Sequence, residues 1–206
     1  VAKIAPSGRH DSDAAPSSWA PMGTASSFDA VASTNDWVRE VGGDDVHVTE
    51  LVGPGGDAHT YEPTPADAAA LAKAQLIFEN GLGFETWLDR LCESSGARAR
   101  RIVTTRTLKP LEHVVAPGVI EIDPHVWHSP ANAQAMVREI AAALTEADPS
   151  NAAEYERRSQ NYCMQLDELD RWIRQESASY RGGNSNERSL LAHSLKRPIC
   201  FSWTSR

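Results

Sequence analysis

The chain has 206 residues, of which 41% are hydrophobic and 23% are charged, with a formal net charge of −8. This is an ordinary globular composition, and the chain is long enough to bury a core. The negative charge argues against nucleic acid and anionic membrane surfaces as partners. No apolar run approaches the roughly 18 residues of a membrane-spanning helix. Three cysteines without C-x-x-C spacing argue against a disulfide framework and a cysteine zinc site.

The amino-acid composition of the chain changes near residue 28. Residues 1–27 are rich in Ala, Ser, Pro, Gly and Asp and lack the apolar core of a signal peptide, so they are predicted to be a disordered leader or tether. FDAVAS (28–33) then predicts a short strand, and NDWVREVGG predicts a short helix that the two glycines end. VHVTELV (46–52) alternates as a strand does and leads into a glycine-rich loop.

Helices and strands alternate through the next hundred residues. Thr64 and Pro65 predict the start of a helix over TPADAAALAKA. The later elements are, in order, a buried strand (75–80), a helix (84–94), a strand (100–105), a poorly patterned connection (106–122) and a helix from Ser129 to Asp148. This order predicts an α/β fold with a parallel sheet flanked by helices. Sites in such sheets lie in loops beyond the carboxyl ends of the strands.

Residues 151–180 differ from the preceding elements because they predict one long helix. Its apolar stripe consists of Tyr155, Tyr162, Leu166, Leu169 and Ile173. At 1.5 Å per residue this helix would be about 45 Å long, which exceeds the width of a small domain. We therefore expect it to connect two bodies.

Two histidines lie in loops of the α/β region. His59 lies in GPGGDAHTYEPTPAD (53–67), where glycines permit tight turns and prolines restrict the exit, and His125 lies in DPHVW. Neutral imidazole binds Zn, Cu, Ni and Fe, so the two could hold one metal ion if the fold brings them together. By itself, each is more often a hydrogen-bonded or packed loop residue. Asp123 and Glu62 are candidates to accept the second imidazole N–H.

These two loops, with the segments AAALAKAQLIFENGLGFETWLDRL and SPANAQAMVREIAAALTEADP, resemble the zinc- and manganese-specific solute-binding proteins of bacterial ABC importers. The resemblance covers roughly residues 28–180. It implies two α/β lobes joined by a long rigid helix, with the metal between the lobes. It maps His59 and His125 onto the metal ligands of the first lobe. The implied domains are a metal-binding lobe (28–150), a connecting helix (151–180) and an irregular tail (181–206), the remnant of a second lobe.

The resemblance also implies a function. An exported bacterial protein, periplasmic or at the cell surface, would capture Zn²⁺, or alternatively Mn²⁺, and deliver it to an ABC importer permease in the membrane. It would act as a monomer, without catalysis and without a nucleic acid partner. Two imidazoles favour zinc over manganese, which usually takes more oxygen ligands.

The sequence after residue 180 does not match the second lobe of this family. ERSLLAHSLK (187–196) is a displaced match to the strand that carries the third ligand, which makes His193 a tentative third ligand. No residue is a candidate for the fourth. The prediction is therefore weak zinc binding through His59 and His125, with solvent completing the coordination shell.

Two alternatives to a working carrier stay open. The basic, unpatterned tail favours a truncated remnant or interaction module that binds metal weakly. A zinc-dependent hydrolase, in which an open coordination position activates water, is a further alternative. The chain has no H-E-x-x-H, G-x-S-x-G or P-loop motif to support the hydrolase.

Overall fold

The computed structural model describes residues 2–4, 30–53 and 56–181. The strands within these ranges are β1 (Ala2–Ile4), β2 (Thr49–Glu50), β3 (Leu76–Glu79), β4 (Arg100–Val103), β5 (Leu111–Ala116) and β6 (Val119–Asp123). The helices are α1 (Ala30–Gly42), α2 (Pro65–Leu71), α3 (Leu88–Ser95), α4 (Pro130–Ala147) and α5 (Ala152–Arg181). Among these helices, none is both long and apolar enough to cross a membrane.

The main sheet has the strand order β2-β1-β3-β4 and confirms the predicted α/β class. Strands β3 and β4 are parallel, whereas β1 is antiparallel to both of its neighbours. Strands β2, β3 and β4 therefore run in one direction, as predicted, and β1 is inserted against them. Strand β1 lies within the leader predicted over residues 1–27. It was not predicted because three residues are too few to show the alternating pattern of a strand. The rest of that leader lies outside the described residues.

The region 28–52 departs from its predicted secondary structure. FDAVAS is predicted as a strand, but α1 begins at Ala30 and continues to Gly42. The buried positions Thr34, Val38 and Val41 are spaced by four and three, so a helix places them on one face. The strand predicted over 46–52 is reduced to Thr49–Glu50.

The poorly patterned connection (106–122) contains most of a β-hairpin that its sequence does not predict. Strands β5 and β6 pair with each other and form a separate two-stranded sheet. Gly118 in their turn has φ of +78°, a left-handed conformation that glycine adopts readily. Val114 and Ile120 are paired and exposed, so the hairpin has no buried face to produce the usual apolar–polar alternation.

The helices after residue 60 form largely where they are predicted. Thr64 caps α2 in a reciprocal capping box with Asp67, which satisfies amides at the helix start. In α4, Met136, Val137 and Ile140 are fully buried, as their helical spacing predicts. Cysteines 92 and 163 lie in α3 and α5, partly buried and buried respectively.

Helix α5 runs antiparallel to α4 along the side of the molecule. Near the start of α5, the Tyr155 hydroxyl donates to Asp148 at the end of α4 (3.0 Å). Farther along, Gln134 near the start of α4 donates to Asp167 (2.6 Å). The last residues of α5 therefore extend past the start of α4, which lies beside the His125 loop, by roughly 15 Å.

Candidate metal site

The loop that carries His59 is closed by hydrogen bonds to Asp57. One carboxylate oxygen of Asp57 accepts from the backbone N–H of His59 (2.9 Å), and the other accepts from the Thr60 hydroxyl (3.0 Å). These two bonds, led by the backbone N–H, hold the pKa of Asp57 below its usual value. The His59 side chain is thereby presented at an exposed position, immediately after the buried Ala58.

The His125 loop has the same local design. Strand β6 ends at Asp123, whose Oδ1 accepts from the backbone N–H of His125 (2.9 Å) and lies 2.7 Å from its Nδ1. The hydrogen bonds from the backbone N–H and then the ring lower the pKa of Asp123. A carboxylate at Nδ1 leaves Nε2 as the ring nitrogen for a metal, the usual arrangement around metal-binding histidines.

The fold brings the two imidazoles together. The ring centroids of His59 and His125 are 5.8 Å apart, and the ring planes are inclined by 53°. Two imidazoles that share one tetrahedral zinc through bonds near 2 Å have centroids about 5 Å apart. The observed centroid separation exceeds this value by less than about 1 Å.

Buried aromatic rings pack against both histidine rings. Phe84 is 4.4 Å from His59 and 6.0 Å from His125 between ring centroids, and Trp127 lies 5.0 Å from His125. Trp127 and Trp87 are both buried. Phe84 is not predicted from the sequence, where its only signal is that an apolar residue follows the glycine-rich turn NGLG.

The remaining candidates do not complete a ligand set in the described ranges. His193 lies outside the described residues. In the part of the chain that the structure describes, Glu62 hydrogen-bonds to neither imidazole, and no group of three or more His, Cys, Asp or Glu side chains could hold a metal ion. The ring of His128 is nearly parallel to that of His125 at a centroid distance of 6.5 Å, and burial together with the nearby His125 lowers the pKa of His128. His113 is 3.9 Å from Asp123.

Known proteins share this architecture. The family model of zinc-uptake complex component A, periplasmic (ZnuA), matches residues 30–189. The chain is 33% identical over 158 residues to the iron-binding protein YfeA of Yersinia pestis, which covers 75% of this chain and 50% of YfeA. It is 35% identical over 139 residues to the manganese-binding lipoprotein MntA of Halalkalibacterium halodurans, which covers 67% of this chain and 45% of MntA. The chain thus spans about half the length of the curated relatives it matches.

Solved structures agree with the sequence matches. The crystal structure of a zinc-bound ZnuA deletion mutant superimposes with a TM-score of 0.63 at 34% identity, covering 69% of this chain and 55% of that one. The periplasmic zinc-binding protein TroA of Treponema pallidum gives a TM-score of 0.65 at 30% identity, covering 72% and 53%. These matches confirm the resemblance that the two histidine loops indicate, and the chain belongs to the family of periplasmic zinc-uptake component A proteins.

Proposed function

We propose that this chain captures a divalent transition metal through the imidazoles of His59 and His125. The observation that carries the proposal is their centroid separation of 5.8 Å at one end of the fold, with Asp123 at Nδ1 of His125. Asp123 fixes the tautomer and makes the ring a better donor. Water completes the coordination shell where further protein ligands are lacking.

Zinc is the preferred ion in this proposal, and manganese is the second choice. Two imidazoles suit zinc, whereas manganese usually takes more carboxylate and water oxygens. The names of related proteins include zinc-binding TroA, manganese-binding MntA and iron-binding YfeA, so the shared fold serves several metals. Any ligand from outside the described residues, including His193 as a third, would adjust the preference.

The chain acts, in this proposal, as the first lobe and connecting helix of an extracytoplasmic carrier. The lobe corresponds to residues 28–150 and the connection to 151–180. Support comes from α5, whose last residues extend past the start of α4 and which exposes Leu169 and Trp172 near that end. The carrier would be a periplasmic or cell-surface monomer that hands its metal to an ABC importer permease. It would bind no nucleic acid, in keeping with the net charge of −8.

Zinc uptake by the whole chain tests this proposal. Equilibrium dialysis at micromolar Zn²⁺ should show one bound zinc per chain, and His59→Ala should abolish most of the uptake. His47→Ala is the matched control, because His47 is an exposed histidine in a different loop. Equal uptake by the two variants would refute the role of His59. Absence of uptake by the unmodified chain would favour the alternative of a remnant or interaction module.

We further propose that the chain is not an enzyme. The support is that YfeA, MntA and TroA carry binding names rather than catalytic ones. The zinc-loaded chain should therefore not accelerate hydrolysis of an activated ester or phosphoester. Zinc-dependent turnover that His59→Ala abolishes would establish the hydrolase instead.

A further inference from the structure

The loop between β3 and α3 contacts both histidine loops. We call residues 80–87 (NGLGFETW) the bridging segment. At its end, Trp87 Nε1 donates to the carbonyl of Ala58 (2.7 Å). At its start, Asn80 Nδ2 donates to the carbonyl of Pro124 (3.2 Å). Each acceptor belongs to the residue immediately before a histidine, so one short segment holds the backbone at both proposed ligands.

The middle of the bridging segment fills the space beneath the two imidazoles. Phe84 is 5% exposed and packs against both His59 and His125. Within the described residues, no hydrogen bond joins the His59 loop directly to the His125 loop. The bridging segment is therefore the shared support through which the separation of the two rings is set.

The bridging segment is itself held in one conformation. The buried carboxylate of Glu85 accepts from the backbone N–H groups of Asn80 (2.8 Å) and Gly81 (3.1 Å), while Thr105 donates to the Asn80 carbonyl. Gly81 has φ of +86°, and a Cβ there would lie 2.4 Å from Val103 Cγ1. Asn80 and Trp87 are 1% and 8% exposed, so both donors act where water competes little.

We propose that Asn80 and Trp87 are positioning residues that preset the spacing of His59 and His125 before the metal arrives. This inference rests on the proposed function, since it assigns a purpose to the spacing. Ligands already held near their bound geometry lose less conformational entropy when the ion binds. Neither side chain would touch the metal, because each acts through the backbone of the adjacent loop.

The first experiment compares two tryptophan variants. Trp87→Phe retains a buried ring but removes the donor to Ala58. Trp37→Phe is the matched control, because Trp37 is also buried and donates to the Tyr162 hydroxyl between α1 and α5. Zinc titration should show an affinity loss of about tenfold for Trp87→Phe, as for other supporting contacts of metal ligands. Trp37→Phe should change the affinity by less than about twofold. Equal affinities in the two variants would overturn the proposal.

Hydrogen exchange of the metal-free chain separates positioning from a general loss of stability. Trp87→Phe should accelerate exchange at amides 57–60 and leave the amides of Asp123, His125 and Val126 unchanged. Asn80→Ala should produce the opposite pattern. Acceleration in both loops in each variant, or in neither loop, would overturn the inference. If the unmodified chain takes up no zinc, the proposed function fails, while the exchange pattern still decides whether each residue positions its own loop.

Discussion

Lowering the pH should weaken zinc binding with a slope that counts the imidazole ligands. Zinc requires neutral imidazole, so protons compete with it for His59 and His125. In the acid range, each ligand that must release one proton raises the apparent Kd about tenfold per pH unit. Two ligands acting on one ion therefore give about a 100-fold rise per unit, and a single ligand gives about tenfold.

The carboxylates near the rings do not add to this slope. Hydrogen bonds from the His125 backbone and ring lower the pKa of Asp123, and bonds from His59 N–H and the Thr60 hydroxyl lower that of Asp57. Groups with lowered pKa stay ionised as the pH falls from about 7 to about 5, so they release no proton when zinc binds. The pH dependence in this window thus reports the histidines.

Competition with a fluorescent zinc chelator between about pH 7.5 and 5 measures the slope. The logarithm of the apparent Kd should fall with rising pH, and the magnitude of its slope should approach about two on the acid side and about one in His59→Gln. His47→Gln should retain the slope of the unmodified chain. A limiting slope near one or zero in the unmodified chain would refute shared coordination by two imidazoles.

Two further substitutions test the supports of the site and of the fold. Asp123→Ala removes the acceptor for both the ring and the backbone N–H of His125, so zinc affinity should fall by about 10- to 100-fold; an unchanged Kd in the same chelator assay would contradict this role. Arg158→Ala removes charge-assisted bonds to the Gly42 carbonyl (2.7 Å) and Asp45 (2.9 Å), so the free energy of unfolding in urea should fall by about 2 kcal/mol. A loss below about 0.5 kcal/mol would show that solvent replaces these bonds.

His59 and His125 could be named as candidate ligands from sequence because the loops that carry them resemble the histidine loops of a known family, and the fold places their rings 5.8 Å apart. Asp57 and Asp123 each stand two residues before a histidine and accept its backbone N–H, a short-range turn that needs little tertiary information. Asp123 could be named as a partner of an imidazole for the same reason. Phe84 could not, because its contact with both rings depends on how β3 and β6 are placed in space.

The wrongly predicted secondary-structure elements have a different cause. The hairpin β5–β6 was missed because both of its faces are exposed, so burial imposes no period on its sequence. The start of helix α1 was predicted too late because the short segment FDAVAS (28–33) fits either a strand or a helix. Strand β1 pairs with β2 and β3, which are distant in sequence, and its three residues carry no pattern. Local propensity largely determines where the helices form, whereas pairing with residues distant in sequence determines where these strands form.

X-ray absorption at the zinc edge of the loaded chain tests the central claim most directly, because it counts imidazole ligands and measures their bonds. The account predicts two imidazoles at about 2.0 Å, with oxygen atoms in the remaining positions, and one imidazole in His125→Ala. A zinc ion with no imidazole scattering, or a spectrum unchanged by His125→Ala, would contradict capture of the metal by His59 and His125.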